Sequence, residues 1–334
     1  MLDLVDAETI QKRIEEAKYD IHDIILGDLK IKMEPTEEEG ALDFSAEGYT
    51  LTKNAENHIL KQLGIPPNFW RKQPSGIKSE LWEYWEKAVD IKNTPIVMKT
   101  REKGIYALLE EDKVGITNEE IFDILKESSL YNRFDLFQLG LHDFTFDLRA
   151  VMGTIENDQK LKVGDLYPGV HFTSSETGNR KTMVLPIIYR VSCSNGLIMP
   201  YKTLDDGFKL PSFTNYSSFS RQVLEGALIP RCAKYAMEKR KRFDFSKDVK
   251  VKDPEALVHR YCREFSLNKP VEEAVQRCLH SVNSKEYVDT AFGVCNAFTR
   301  AAQDMETPDR QIKVEKIGWR VLDRLVGYRK PNGN

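Results

Sequence analysis

A change of hydrophobic period is the feature that most restricts how this chain can fold. In "TMVLPIIYRVSC", residues 182–193, Met183, Leu185, Ile187, Tyr189, Val191 and Cys193 share one face, apolar throughout. Thr182, Val184, Pro186, Ile188, Arg190 and Ser192 share the other, which is mixed. A repeat of two places alternate residues on opposite faces of a strand. Beyond about residue 217 the repeat becomes helical: Val271, Ala274, Val275, Cys278 and Leu279 make one stripe, Tyr287, Ala291, Cys295, Phe298 and Ala302 a second, and Val314, Ile317, Val321 and Leu325 a third. Strands gathered before helices give an α+β expectation: a central antiparallel meander sheet, flanking helices and a helical C-terminal part.

Local signals fill in the order. Ile10, Ile14, Ala17 and Ile21 predict a first helix from Asp6, and "KMEPTEEEGALDFSAEGY" reads as an acidic loop. Thr52 is placed to cap a helix that runs to Leu63 and stops at Gly64, and another helix from about Ser75 carries Ile77, Leu81, Trp85 and Ala88, flanked by Trp82 and Tyr84. "TPIVMKT" and "GIYALLEED" read as a hairpin, followed by a short strand and a helix with a Thr117/Glu120 capping box and an apolar face of Ile121, Ile124 and Leu125. "FTFDLRAV" alternates as a half-buried strand. Pro168-Gly169 and Gly178-Asn179 are read as turns, and Asn195-Gly196 has the chemistry of a tight hairpin turn. Pro186 points to an edge or a bulge, and Pro230 suits the first turn of a helix. The expected divisions are 1–50, a helix and acidic loop; 51–216, the α+β core; and 217–334, the helical part.

The net charge of −3 hides an asymmetry: residues 1–150 carry −11 and residues 151–334 carry +8. The basic half is suited to a polyanion, and the two halves are suited to each other, within one chain or between copies. No apolar run approaches the roughly 20 residues that span a bilayer, and the first residues have no secretory pattern, so the expected location is a cytoplasm with no membrane partner. The five cysteines, 193, 232, 262, 278 and 295, form no Cys-x-x-Cys and are expected to be buried thiols.

Glycine-rich phosphate loops, nucleophile elbows and paired-histidine zinc motifs are missing, which removes the main routes to nucleotide-dependent and hydrolytic chemistry. His259 with Cys262 and Cys278 with His280 are the zinc-ligand spacings to consider. A magnesium-dependent nuclease would draw on Asp143, Asp147 and Glu176, with Lys181 beside them; Arg149 on the same strand face offers these carboxylates an ordinary ion pair. Nucleic-acid binding would use Arg180 and Lys181 at a strand turn, Arg190 within a strand, and Lys234, Lys239, Arg240, Lys241 and Arg242 on a helix. Cations spaced along a groove displace condensed counterions from phosphates.

Ser175, Glu176 and Gly178, followed by Tyr189, Arg190, Cys193, Asn195 and Gly196, give this region a resemblance to a phage- and plasmid-borne family called domain of unknown function 932. "LTKNAENHILKQLGIPPNFW" and "CNAFTRAAQD" resemble further family segments, so the likeness covers about residues 50–320 in scattered blocks. Ser174 stands where the family has asparagine, and "GIYALLEEDKVG" replaces its arginine-rich hairpin. The resemblance implies a mobile-element origin and leaves the activity undefined. The expected strand-strand-strand-helix order of 95–128 is also similar to the unit of phage single-strand-annealing recombinases, a likeness of fold alone.

The leading expectation is a non-enzymatic nucleic-acid-binding protein of the host-cell cytoplasm, associated with single-strand annealing, with single-stranded DNA the favoured partner and self-association into a homo-oligomer. It assigns no catalytic residue, metal or cofactor. The rival expectations are a phage structural or host-takeover interaction protein and the metal-dependent nuclease. Glu176 and Arg190 are expected to meet in an ion pair beside the sheet, unless Arg190 contacts phosphate.

Overall fold

The computed structural model describes residues 5–35, 42–46, 48–88, 94–142, 145–152, 166–190, 195–198, 212–213, 215–281 and 288–327. The chain is α+β, built on two sheets.

The first sheet comes from a region expected to be mostly loop. Helix α1, Ala7–Glu16, is capped by Asp6 and buries Ile10 and Ile14, as the spacing predicts. Ile21, however, lies in β1, Asp20–Ile25, half exposed at the sheet's edge. β2 (Ile31–Pro35), β3 (Leu42–Ala46) and β4 (Tyr49–Leu51) follow, flanking the acidic residues 36–41, which lie outside the described residues. Strands this short and charged have little β-propensity of their own and form because their neighbours pair with them. β5 (Pro95–Arg101) and β6 (Gly104–Leu109) are the expected hairpin and complete the order β1-β5-β6-β4-β3-β2, with β4 and β6 parallel. Against this sheet pack α2 (Lys53–Gln62), capped by Thr52 and ended at left-handed Gly64, the short α3 (Pro67–Arg71), and α4 (Ser75–Ala88). In α4 the buried stripe is rotated from the expected one: Trp82 is inside, edge-on to Trp70, while Ile77 is 45% exposed. No strand precedes α5 (Asn118–Glu127); the order over 95–128 is strand, strand, helix. Its capping box and buried Ile121, Ile124 and Leu125 are as expected.

The second sheet is a meander of consecutive antiparallel strands: β7 (Phe134–His142), β8 (Thr145–Met152), β9 (Leu166–Ser174), β10 (Thr182–Arg190) and β11 (Asn195–Ile198), with β12 (Ser212–Phe213) beside the start of β10. Pro168 and Gly169 are not a turn but part of β9. Gly169 sits between β8 and β10, where a Cβ would lie 2.5 Å from the Ala150 carbonyl, and Pro168 lies just past the end of the β8 ladder, where no N–H is required. Among the described residues Pro186 falls between the β12 pairing at Thr182–Met183 and the β11 pairing at Ile187–Arg190, with no partner on that side. Asn195 and Gly196 pair with Arg190 and Tyr189, so they are ladder residues and not the centre of the hairpin turn.

Among the described residues six more α-helices follow: α6 (Tyr216–Leu224), α7 (Leu228–Ser246), α8 (Pro254–Glu264), α9 (Lys269–Leu279), α10 (Ala291–Ala301) and α11 (Pro308–Val326). They cover both faces of the second sheet. The mixed face of β10 packs Val184 among Leu228, Cys232 and Ala233 of α7, and Ile188 beside Tyr235 and Ala236. Leu185 and Ile187, on the other face, meet Ile312 of α11. This two-sided covering explains why Arg149, expected on a solvated strand face, is buried. Four of the cysteines are buried free thiols, with burial pushing Cys232 and Cys262 up to about 12; Cys193 and Tyr287 lie outside the described residues. Among the described residues no helix is long and apolar enough to cross a membrane.

Candidate anion-binding cleft

The turn between β9 and β10 is fastened to the first sheet. Glu176, nearly fully buried, accepts the Asn118 N–H at 2.6 Å, at the N-terminus of α5 where a carboxylate is favoured. Its second oxygen lies 3.7 Å from the Nζ of Lys99, a β5 residue with no exposed surface. Burial pushes Glu176 up and pulls Lys99 down, while each one's charge opposes the other's shift. Asn54 of α2 donates to the Thr177 carbonyl at 3.2 Å and the Tyr106 carbonyl at 3.0 Å. A Cβ on Gly115 would lie 2.6 Å from the Ser175 carbonyl, and one on left-handed Gly178 would strike Leu109. Glycine is required at 115 by this close approach of backbone, and at 178 by its left-handed φ of 75°.

The fastening leaves a cleft of about 610 Å³ between the two sheets. One wall is α2 and the end of β6, with His58, Lys61, Gln62, Leu108 and Leu109; the other is the turn, with Ser175, Gly178, Asn179, Arg180 and Lys181. His58 and Lys61 are three residues apart and share a helix face. Nδ1 of His58 accepts the Leu108 N–H at 3.2 Å, so the proton of the neutral ring is on Nε2. Burial, with Lys61 nearby, lowers the His58 pKa to about 4, and the ring is a neutral donor near pH 7. Glu110, the one carboxylate among the lining residues, is paired with Lys113 at 2.6 Å. Lys61 and Lys181 are exposed. Cations and N–H donors facing one gap can hold an oxyanion; no nucleophile with an adjacent base is among them.

Behind Arg180 runs a buried polar network on the sheet face that α11 covers. Arg180 donates to Asp147 at 3.2 Å and to Thr173. Asp147 also accepts from Nε2 of His171 at 2.9 Å. Desolvation would raise Asp147, but His171 and the neighbouring guanidinium groups prevail and hold it below the usual carboxylate range. Arg149, two residues along β8, donates from Nη2 to both carboxylate oxygens of Glu315 of α11, at 2.8 and 2.9 Å, and from Nη1 to Gln138. His171 has no exposed surface, its Nδ1 has no hydrogen-bond partner, and burial pulls its pKa down to about 4.

A pH dependence follows from His171. The unfolded chain takes up a proton near pH 6.5, whereas the folded chain does so only near 4, so unfolding is favoured as pH falls through that interval. The wild type is expected to lose about 2 kcal/mol more between pH 7 and pH 5 than a His171→Gln variant does. Urea unfolding at the two pH values measures this, and equal losses in both proteins would refute it.

Nothing matches this chain among known protein families, curated proteins or solved structures.

Of the residues expected to bind nucleic acid, the cleft gathers only Arg180 and Lys181. The backbone of Arg190 is at the opposite end of β10 from this turn, about 25 Å along the strand, and its side chain lies outside the described residues. The run 239–242 is near that far end, because α7 passes Val184 at Cys232 and Ile188 at Tyr235 and Ala236. Successive helical residues point about 100° apart, so the run is not one patch. Arg242 binds Asp323 at 2.6 Å and the Gly327 carbonyl, Lys239 lies over the Tyr235 ring, Arg240 leans toward Asp244, and Lys234 and Lys241 point outward. Asp147 and Glu176 share no partner, and Asp143 lies outside the described residues. His259 pairs with Glu272 and His280 with Glu255. Among the described residues no three metal-ligating side chains come together.

The sequence reading missed His58, Lys61 and Lys113, which come from the acidic half, and also His171 and Glu315. The His58–Lys61 spacing was visible, but nothing in the sequence indicates that the turn at 175–181 faces it.

Proposed function

We propose that this protein binds nucleic acid through its phosphates, single strands ahead of duplex, without catalysing a reaction on it. A phage or plasmid origin, implied by the resemblance, belongs to the same reading. The cleft carries it: exposed Lys61 and Lys181 face one gap, beside Arg180, which is paired with Asp147, and Lys113, which is paired with Glu110, and His58 adds a neutral donor. The outward lysines of α7, Lys234 and Lys241, give the strand a second set of contacts. Such contacts are independent of sequence and weaken as salt rises.

The test is fluorescence anisotropy with a labelled 20-nucleotide single strand and its duplex, titrated from about 50 to 200 mM salt. The double variant K61E/K181E replaces two exposed side chains, so the fold is retained. It is expected to bind single strands at least tenfold more weakly, and its log–log salt slope should be shallower by about 1.4, two contacts' worth. Wild-type affinity and slope in the variant would refute the cleft as the phosphate site. Absence of wild-type binding at the lowest salt would refute the reading as a whole.

A further inference from the structure

Helix α7 is anchored on one side and bare on the other. Leu228, Ile229, Cys232, Ala233, Tyr235, Ala236 and Phe243 are buried. The opposite side shows Lys234, Met237, Glu238, Lys241, Asp244 and Phe245 to solvent. At about 100° per residue, Lys234, Lys241 and Phe245 fall within about 40° of one another, and Met237 borders them. Phe245 is 48% exposed and Met237 43%. Single exposed apolar residues are ordinary on a protein surface. Here two of them alternate with two lysines that make no ion pair with any described residue, along a helix held rigidly by its inner face.

We propose that this stripe of α7 is a stacking surface for the unpaired bases of a single strand, with Phe245 as the stacking ring and Lys241 and Lys234 on the flanking phosphates. The proposal rests on the nucleic-acid reading and gives it a cause for single-strand preference. An aromatic ring standing on a helix can lie against a base only where the base has left its stack, and duplex DNA keeps its base faces covered. Lys234 and Lys241 are two turns apart, about 10 Å, so they meet different phosphates of one strand. Glu238 and Asp244 on the same side limit the net positive charge. A purely electrostatic patch would be weakened by them, whereas contact with base faces is not. Lys239 and Arg242 are turned away onto Tyr235 and Asp323, which leaves the stripe narrow.

The experiment compares wild type, F245A and F245W in anisotropy titrations with a labelled 20-mer of deoxythymidine and a 20-base-pair duplex at about 50 mM salt. Phe245 is half exposed, so neither variant disturbs the core. F245A is expected to weaken single-strand binding about tenfold and duplex binding less than twofold, with F245W restoring the single-strand affinity. The indole emission added by F245W, after subtracting the wild-type signal, should be quenched by the single strand and not by the duplex. Unchanged single-strand affinity in F245A, or equal losses for both DNAs, would overturn the stacking role. So would a change in oligomeric state on F245A without a change in single-strand affinity, which would make the stripe a contact between copies. Wild type that binds neither DNA would remove the nucleic-acid reading itself, a result seen before any variant is compared.

Discussion

An Arg149→Ala variant is expected to lose about 3–5 kcal/mol of stability in urea unfolding at pH 7. Arg149 and Glu315 are both almost without exposed surface, and Nη2 of Arg149 lies 2.8 and 2.9 Å from the two carboxylate oxygens. Removing the guanidinium leaves a carboxylate buried with only the Gln303 and Gln311 amides as donors. Two further results separate this cause from simple loss of packing. Burial already pushes Glu315 up, and without Arg149 it rises further. A folded-state pKa above the unfolded one means that the folded chain binds more protons, so the deficit of the variant should shrink as pH falls from 7 toward 5. The double variant R149M/E315M, which removes both charges and keeps the volume, should recover most of the loss. A single-variant cost below 1 kcal/mol would show that the pair contributes little.

Glu176→Ala is the second large effect, again about 3–5 kcal/mol. It strands the Lys99 ammonium with no exposed surface and leaves the Asn118 N–H at the head of α5 without its acceptor. Because Glu176 fastens the turn that forms one wall of the cleft, this variant should also weaken single-strand binding, even though Glu176 carries no positive charge. Lys99→Met on the same background should restore part of the stability by removing the stranded charge. If E176A unfolds at the wild-type urea midpoint, the fastening is not made by this residue.

These two residues also show how far the sequence could be read. The sequence singles out Glu176 by its place beside Gly178 and offers Arg190 as its partner, because both lie near one strand. A strand of nine residues carries its ends about 25 Å apart, and the true partners, Lys99 and Asn118, belong to the other sheet. Periodicity located the helices well, because Ile10 and Ile14, Ile121 to Leu125, and the stripes of α9 and α11 each follow the repeat of one element. It failed for β1 to β4, where β1 pairs with β5, β4 with β6, and β3 and β2 add on beyond β4, so the pairing depends on residues distant in sequence. It failed also for Pro168-Gly169 and Asn195-Gly196, where turn chemistry was read and ladder pairing prevailed. The basic run 239–242 reads as a patch in one dimension; the helix sends its four side chains in four directions, and one of them, Arg242, ties α7 to α11. The cleft was half legible: the β9–β10 turn was identified, and the α2 wall opposite it was not.

The Arg149–Glu315 pair joins positions separated by 166 residues. At a synthesis rate of about 5–20 residues per second, the β8 partner waits on the order of ten to thirty seconds for the helix that neutralises it. Until then the Arg149 guanidinium has no carboxylate from α11 to neutralise it. The buried face of β8 is therefore complete only once α11 has been made, well after the strands of the meander.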